Sequence, residues 1–373
     1  MTQVQTSSTT AKAVAPKWWQ ADCLAINEKI KTEAQDRQLI LTKPPGSLGR
    51  LEDVAITLAS LYCDNKPSIK KPLITIFAGD HGVVAQGVSA FPQAVTVAMI
   101  RNFVKGGAAI SVLARTNEAQ LSVVNCGTAF DIDFADDYDA LISKPIAAGT
   151  ADLSQQSAMT AEQLEQALCI GQHVVEQAKK GGIDLFIAGE MGIGNTTSAA
   201  ALACAYLSQP AAMLAGRGTG IDDAALENKI KVIDQALARL TNKLAKKPSK
   251  KELSSDGVLQ ELGGFEIAAI TGAYIRCAQL GIPVLVDGFI TTAAALAACK
   301  MNPDVHDWLI FSHQSKEQGH KHMLEALAAK PLLDLDLRLG EGSGAATALP
   351  LLRQACALHN EMATFAEAAI TEN

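Results

Sequence analysis

Two glutamates stand in glycine-rich turns that each lead into a predicted helix. Glu190 lies in Gly-Glu-Met-Gly-Ile-Gly-Asn-Thr-Thr at residues 189–197, and Glu341 lies in Leu-Gly-Glu-Gly-Ser-Gly at residues 339–344. Glycine permits positive φ and lets the backbone approach a ligand closely. The free N–H groups of a helix start bind anions. Together the two turns predict an enzyme that holds a phosphorylated small molecule and applies a carboxylate to it.

A third glycine-rich segment is Gly-Arg-Gly-Thr-Gly at residues 216–220, followed by Asp222 and Lys229. This segment could wrap a phosphate, with Lys229 as a point charge. It could equally be a flexible loop that caps the helix beginning at Asp222, and the spacing alone leaves both interpretations open. The dinucleotide fingerprint G-x-G-x-x-G and the P-loop pattern are absent from the sequence.

Composition limits the class of protein. The 373 residues are 48% hydrophobic and 19% charged, which is enough for one large domain or two. A net charge of −7 argues against a nucleic-acid partner. The eight cysteines have no C-x-x-C spacing, which indicates neither zinc nor a redox motif and favours a reducing cytoplasm.

Neither the N-terminal segment nor the most apolar long stretch predicts membrane attachment. Residues 1–15 are rich in Ser and Thr and are expected to form a disordered tail. The apolar stretch 266–299 is interrupted by Arg276, Pro283 and Asp287, so it does not predict a membrane span.

Short apolar runs alternate with long helical patterns. Strands are predicted at residues 73–78, 121–125, 183–188, 283–287 and 308–311, and helices at 94–113, 161–179, 222–245 and 265–280. Near-continuous apolar strands are typical of a sheet covered on both faces. The alternation predicts an α/β fold with a mostly parallel sheet between helical layers.

Both ends of the chain are predicted to be helical, with helices at residues 18–37, 48–61, 321–328 and 345–361. We expect a discontinuous small helical domain, built from residues 16–65 and 321–373. Residues 66–320 are then the large α/β domain, which carries most of the active site. The Lys-rich segment 246–256 is expected to be a surface insertion.

Polar residues follow each predicted strand, at Asp80-His81, Gly127, Glu190, Asp287 and Ser312-His313. Ligands of open parallel sheets bind at the carboxyl ends of the strands. These turns therefore predict a ligand cleft along one sheet edge. Asp80 and His81 are expected to cap a helix or to contact the substrate rather than to bind a metal.

Metal binding is not expected at this edge. Residues 286–292 resemble the pyrophosphate loop of ordinary phosphoribosyltransferases, but Gly288 replaces the second acid, and Asp287 is expected to cap the following helix. His320 and His322 are two residues apart, so they do not share a helix face. We therefore expect neither a metal nor another cofactor.

Longer motifs carry a resemblance to a known family. They lie at residues 43–52, 79–83, 189–197, 262–265, 286–289 and 338–346. In this order they resemble the nicotinate-nucleotide:dimethylbenzimidazole phosphoribosyltransferases, over roughly residues 20–370. The resemblance implies a homodimer with a Rossmann-like large domain and a small helical one.

The resemblance also implies a reaction, in which nicotinate mononucleotide donates its 5-phosphoribosyl group to 5,6-dimethylbenzimidazole. The products are nicotinate and α-ribazole 5′-phosphate, used for the lower ligand of cobalamin. The resemblance assigns Glu341 as the catalytic base. It assigns contact with the azole to Glu190, Phe91, Met99 and Leu339. It assigns the ribose phosphate to Gly192, Asn195, Thr196, Gly218 and Lys229.

The chemistry of that reaction is consistent with these residue types. The pyridinium of the donor leaves as a neutral ring, so no acid or metal is needed to expel it. The azole becomes a good nucleophile when a carboxylate removes its ring proton. An apolar pocket raises the pKa of that carboxylate toward working pH.

Two other functions stay open. Apolar Phe91 and Met99 suit a methylated benzimidazole, yet a related transferase could prefer another azole, adenine or a phenol. A non-catalytic protein that binds an azole or a nucleotide is the other alternative. The presence of both Glu190 and Glu341 argues against it, because a binder needs no base.

Overall fold

A single parallel sheet of six strands organises the chain. The structure is a computed structural model, and it describes residues 17–132, 140–218, 220–245 and 253–369. The strand order is β3-β2-β1-β4-β5-β6. The strands are β1 (Pro72–Gly79), β2 (Gln120–Gly127), β3 (Leu141–Ser143), β4 (Leu185–Met191), β5 (Val284–Val286) and β6 (Leu309–Phe311).

The prediction of an α/β fold with a mostly parallel sheet is confirmed, since every strand pair in the described sheet is parallel. All five predicted strands are present. The sequence reasoning missed β3, a three-residue edge strand whose residues are half-buried or exposed and which therefore has no apolar run. The predicted tail at residues 1–15 and residues 246–252 of the predicted insertion lie outside the described residues.

Helices fill both sides of the sheet. They are α1 (Glu28–Ile40), α2 (Arg50–Tyr62), α3 (Ala94–Val104), α4 (Ala109–Thr116), α5 (Ala161–Lys180), α6 (Asn195–Leu207), α7 (Ala211–Leu214), α8 (Asp223–Ala245), α9 (Ser255–Leu262), α10 (Phe265–Leu280), α11 (Phe289–Met301), α12 (His320–Ala326) and α13 (Ser343–Glu361). Alternate residues of each strand point to opposite faces. Leu73 and Phe77 join the core under α10 and α11, whereas Ile74 and Ile76 join the core under α3 and α13.

Two helix predictions were wrong. The predicted helix at residues 94–113 is two helices, α3 and α4, because the chain turns at Gly106, whose φ is +82°. The predicted helix at residues 18–37 begins late: Trp18–Gln20 is a 3-10 turn, and α1 starts at Glu28. Asn27 fixes that start, since its side chain accepts the Ile30 N–H at 3.0 Å.

The terminal helices pack against the sheet layers. Helices α2 and α13 contact each other, and both belong to the core on the Ile74 face of the sheet. Helix α12 contacts α6 and α11 on the opposite side. The division of the chain into a small helical domain and a large α/β domain stays a prediction.

One apolar segment, Ala94–Thr116, has the length and composition of a membrane-crossing helix. It comprises α3 and α4, of 11 and 8 residues, which are joined by a turn and contact the sheet. A membrane span needs about 20 consecutive residues. Neither helix reaches that length.

The sheet has a topological switch point at β1. This strand pairs with β2 on one side and β4 on the other, so the crossover connections leave in opposite directions. A crevice forms at such a point beyond the carboxyl ends of the strands. The last residues of β4 carry Glu190 to that crevice.

Candidate functional site

A cavity of about 360 Å³ lies at the carboxyl edge of the sheet. Its walls come from the turn after β4, the loops after β5 and β6, helix α3 with the loop before it, and the turn before α13. Nine of the ten predicted site residues line it, namely Phe91, Met99, Glu190, Gly192, Asn195, Thr196, Gly218, Leu339 and Glu341. The tenth, Lys229, lies just behind this wall.

Glu341 sits in a strained turn that points its carboxylate into the protein. Its φ is +64°, in the left-handed region that costs a non-glycine residue free energy. The side chain is buried, and one carboxylate oxygen accepts the Ile110 N–H at 3.3 Å, in the first turn of α4. Burial raises the pKa of Glu341, and the negative charge of Asp287 raises it further, while the Ile110 N–H opposes the shift.

Asp287 holds the turn that carries Glu341. Its buried carboxylate accepts the Ala345 N–H at 2.8 Å and the Gly342 N–H at 3.2 Å, at the start of α13. The prediction that Asp287 caps the helix following it, α11, was wrong in this respect. The side chain caps a helix more than fifty residues later in the sequence, which local spacing cannot reveal. Glu341 itself caps α4 rather than α13.

Glu190 faces the same cavity from the end of β4. Asn195, in the first turn of α6, donates a short hydrogen bond from its side chain to one Glu190 oxygen. The other oxygen lies directly against Gly340, where an added Cβ would approach it to 2.2 Å. Glycine is therefore required at position 340 by close contact as well as by its φ of +85°.

The two glutamates have different electrostatic surroundings. Burial, together with the negative charges of Glu266, Asp287 and Glu341, raises the pKa of Glu190 to about 8. Glu190 is therefore mostly protonated at neutral pH, whereas the helix-start N–H favours the ionised form of Glu341. Paired carboxyls in different environments divide acid and base roles in this way.

The other side of the cavity is suited to an anion. Thr196 lies in the first turn of α6, and Gly218 belongs to the glycine-rich loop before α8. Lys229 is 1% exposed, and its Nζ donates to Thr196 Oγ1 at 2.8 Å and to the Gly216 carbonyl at 3.1 Å. An ordinary exposed helix lysine is thus ruled out. Burial lowers the pKa of Lys229 to about 8.

Apolar side chains also line the cavity and form an apolar wall. Phe91, Val95, Met99 and Leu339 contribute to it. Phe91 is 49% exposed and Leu339 is 58% exposed, so both stand at the open rim.

Other candidates from the sequence have structural partners instead. Asp80 accepts hydrogen bonds from Thr96 Oγ1 at 2.6 Å and from the Ala129 N–H at 2.9 Å. His81 Nε2 lies 2.6 Å from Glu266 Oε1, with both side chains fully buried. Neither Asp80 nor His81 lines the cavity, so the structure does not bring these two residues to the site.

The histidines after β6 also have local partners. His320 accepts the Ser315 N–H at 2.7 Å, and its other nitrogen lies 2.9 Å from Thr292 Oγ1. Burial lowers the pKa of His320 to about 3, so this ring is neutral. Within the described part of the chain, no group of three or more His, Cys, Asp or Glu residues could hold a metal ion.

The sequence reasoning did not identify two charged residues that line the cavity, Glu317 and Arg338. His313, which it placed at the cleft edge, lines the cavity as expected. Arg338 and Glu317 stand in loops without a distinctive spacing. The resemblance motif at residues 338–346 contains Arg338, and that motif was the one signal that could have drawn attention to it.

A second cavity, of about 870 Å³, lies on the other side of the molecule. Its lining includes Leu73, Ile142, Cys169 and His173, from strands β1 and β3 and helix α5. None of the described residues that line it carries a carboxylate. This larger cavity therefore lacks the paired acids of the smaller one.

Comparisons with known proteins agree with this site. A family profile described as phosphoribosyltransferase matches residues 23–370. The nicotinate-nucleotide–dimethylbenzimidazole phosphoribosyltransferase of Pseudomonas aeruginosa PAO1 is 54% identical over 356 residues, which are 95% of this chain and 98% of that protein. The protein of the same name from Xanthomonas oryzae pv. oryzae is 53% identical over 95% of this chain and 99% of its own length.

Solved structures give the same result for the fold. The crystal structure of the nicotinate-nucleotide–dimethylbenzimidazole phosphoribosyltransferase from Thermus thermophilus matches with a TM-score of 0.86. That chain is 42% identical, and the match covers 93% of this chain and all of the other. The chain therefore belongs to the nicotinate-nucleotide–dimethylbenzimidazole phosphoribosyltransferase family.

Proposed function

We propose that this chain transfers the 5-phosphoribosyl group of nicotinate mononucleotide to 5,6-dimethylbenzimidazole, releasing nicotinate and α-ribazole 5′-phosphate. The product supplies the lower ligand of cobalamin. Identity of 52–54% with curated transferases over 95% of the chain supports the reaction class. The roles of individual residues below are part of the proposal.

One observation carries the assignment. Two buried glutamates line a single cavity, together with the helix start at Thr196 and with the apolar side chains of Phe91 and Met99. Glu341 lies at the turn before α13, and Glu190 at the end of β4. This arrangement suits a substrate that is phosphorylated at one end and aromatic at the other.

The reaction follows from these positions. The phosphate of the donor lies near Thr196 and Gly218, close to the charge of Lys229. The azole packs on Phe91 and Met99. As one azole nitrogen forms its bond to C1′, the bond from C1′ to the pyridinium nitrogen breaks, and its electron pair neutralises the departing ring.

Glu341 completes the proton balance. The azole loses the proton of its other nitrogen as the new bond forms, and the ionised Glu341 carboxylate accepts it. Glu190 is mostly protonated at neutral pH, so it can hydrogen-bond the azole without competing for that proton. A positioned general base of this kind typically contributes about 10²–10⁴ in rate.

The proposal is tested by incubation with nicotinate mononucleotide and a mixture of acceptors, read by mass spectrometry. The acceptors are 5,6-dimethylbenzimidazole, benzimidazole, adenine and a phenol. We expect the ribosylated dimethylbenzimidazole to dominate, with one nicotinate released for each product. A dominant adenine or phenol product would favour the related transferase. Binding without nicotinate release would favour the non-catalytic alternative.

We further propose that the chain is a cytoplasmic homodimer. Phe91 and Leu339 are large apolar side chains left exposed at the cavity rim, a position that a second copy can cover. All eight cysteines are free thiols. Light scattering on the purified protein tests the dimer, since a monomer at micromolar concentration would contradict it.

A further inference from the structure

Glu317 is a half-buried carboxylate in the cavity wall that the mechanism above does not use. It lies in the loop between β6 and α12, and the backbone of the loop is fixed around it. Its N–H donates to Ser315 Oγ at 3.3 Å, and its carbonyl accepts the His320 N–H at 3.0 Å. The adjacent Gln318 side chain donates to the Ala212 carbonyl at 2.9 Å.

The carboxylate of Glu317 is pressed against the glycine-rich loop before α8. An added Cβ on Gly216 would come within 1.9 Å of Glu317 Oε2, so a larger residue at position 216 would displace this carboxylate. The Gly216 carbonyl accepts from Lys229, which also donates to Thr196. Glu317 thus stands beside the residues proposed to hold the ribose phosphate, on the cavity side.

Glu317 Oε2 is shielded from solvent, yet it has no hydrogen-bond partner among the described residues. A buried acceptor without a partner costs free energy that a suitable ligand recovers. The ligand group must be a donor, because a phosphate oxygen would be repelled by the carboxylate. Next to a phosphate subsite, the donors that a phosphoribosyl compound offers are its ribose hydroxyls.

We propose that Glu317 accepts hydrogen bonds from the vicinal hydroxyls of the donor ribose, and that it makes the enzyme select ribose over deoxyribose. The proposal rests on the proposed function for the identity of the donor. The two oxygens of one carboxylate match two neighbouring hydroxyls. Sites built to bond a substrate hydroxyl reject the analogue that lacks it, because their own polar groups are left unpaired.

A competing role is that of a distant counter-ion for Lys229, since the Glu317 charge favours the protonated lysine. The two roles predict different dependence on the donor. Hydroxyl recognition couples Glu317 to the 2′ and 3′ positions of the sugar. A counter-ion role couples it to the phosphate.

The experiment compares kcat/KM for nicotinate mononucleotide and for its 2′-deoxy and 3′-deoxy analogues, in wild type and in Glu317→Ala. We expect Glu317→Ala to lower kcat/KM for the ribose donor roughly ten- to a hundredfold, the worth of a hydrogen bond to a charged group. Wild type should lose a similar factor with at least one deoxy analogue. With that analogue, the substitution should add less than about threefold further loss.

Gln318→Ala is the matched control. It alters the same loop and removes the contacts to the Ala212 and Met213 carbonyls, but Gln318 does not line the cavity. We expect Gln318→Ala to affect ribose and deoxyribose donors equally. Equal losses for the two donors in Glu317→Ala would overturn the proposal. So would a loss that disappears with the dephosphorylated nucleoside, which would assign the counter-ion role.

Calorimetric binding of the same donors, without acceptor, repeats the comparison without turnover. Hydroxyl recognition predicts that wild type binds the deoxy nucleotide more weakly than the ribonucleotide. It also predicts that Glu317→Ala binds the two nucleotides with equal affinity. Equal affinities of wild type for both nucleotides contradict it. Absence of ribosyl transfer in wild type would contradict the proposed function and leave this binding test valid.

Discussion

Replacement of Glu341 by glutamine separates catalysis from folding. Glutamine keeps the shape of the side chain, and its carbonyl oxygen can still accept the Ile110 N–H that now lies 3.3 Å from Glu341. Asp287 continues to hold the turn through Gly342 and Ala345. The loss of a charged acceptor at the start of α4 costs about 0.3–1 kcal/mol of stability, and removal of the buried charge that raises the pKa of Glu341 offsets this loss.

The effect on the rate should be much larger. A glutamine cannot accept the azole proton, so we expect kcat to fall roughly 10²–10⁴-fold. That factor corresponds to about 3–5.5 kcal/mol of activation free energy. The catalytic effect therefore exceeds the stability effect several-fold, and the two can be told apart.

The assay measures nicotinate release and ribosylated azole by liquid chromatography, alongside urea unfolding of the same samples. Glu361→Gln is a suitable control, because Glu361 is exposed at the far end of α13. We expect the control to keep wild-type turnover. Near-wild-type turnover in Glu341→Gln would refute the assignment of the base, and a large loss of stability would assign Glu341 a structural role.

Four further outcomes are expected. Activity should survive exhaustive chelation, because the leaving group is a neutral ring; loss with EDTA that magnesium restores would mean that the Asp287 loop was misread. Lys229→Ala should lower kcat/KM roughly ten- to a hundredfold for the mononucleotide and far less for the nucleoside. In wild type, kcat/KM should fall more steeply above about pH 8 for the mononucleotide than for the nucleoside, because Lys229 loses its proton there; equal effects on both donors would remove Lys229 from the site. Asp287→Asn should lower the free energy of unfolding, measured with urea, by about 1–3 kcal/mol, because an amide nitrogen would face the Gly342 N–H. The same substitution should lower kcat, and an unchanged free energy of unfolding would contradict the capping role of Asp287. Glu190→Gln should gain stability relative to wild type as pH rises toward 8, because the native state holds the Glu190 proton up to about pH 8 whereas the unfolded chain releases it near 4.5; parallel stability curves would contradict the raised pKa.

The sequence predicted the layers of the fold well, for a physical reason. Strands buried on both faces are mostly apolar, so β1 and β4 are recognisable in the sequence as apolar runs. The edge strand β3 lacks that constraint and was missed. Helix α5 was predicted almost to the residue, because Thr160 and Gln163 form a capping box.

The turns of the site were also predictable, because positive φ and close contact leave few residue types other than glycine. Gly194, Gly340 and Gly342 all have positive φ. What the turns do with their side chains could not be predicted in the same way. Asp287 bonds Ala345, and Glu341 bonds Ile110, across 58 and 231 residues of sequence.

Only the direction of a pKa shift could be predicted from the sequence. The apolar setting of the proposed base indicated a raised pKa for Glu341, and burial does raise it. Burial raises the pKa of Glu190 as well, which the sequence analysis did not predict. The difference between the pKa shifts of Glu190 and Glu341 depends on which helix start lies against which carboxylate. That is decided by the tertiary packing of α4 and α6.

The most direct test of the account follows the ribose itself. Nicotinate mononucleotide labelled with carbon-13 in the ribose is incubated with 5,6-dimethylbenzimidazole and wild-type enzyme. A parallel reaction contains Glu341→Gln, and the products of both reactions are identified and quantified by mass spectrometry. We predict that the labelled ribose phosphate appears on the azole, with an equal amount of free nicotinate, and that the variant forms this product at least about a hundredfold more slowly. Unmodified azole with wild-type enzyme, or equal rates in the variant, would contradict the account.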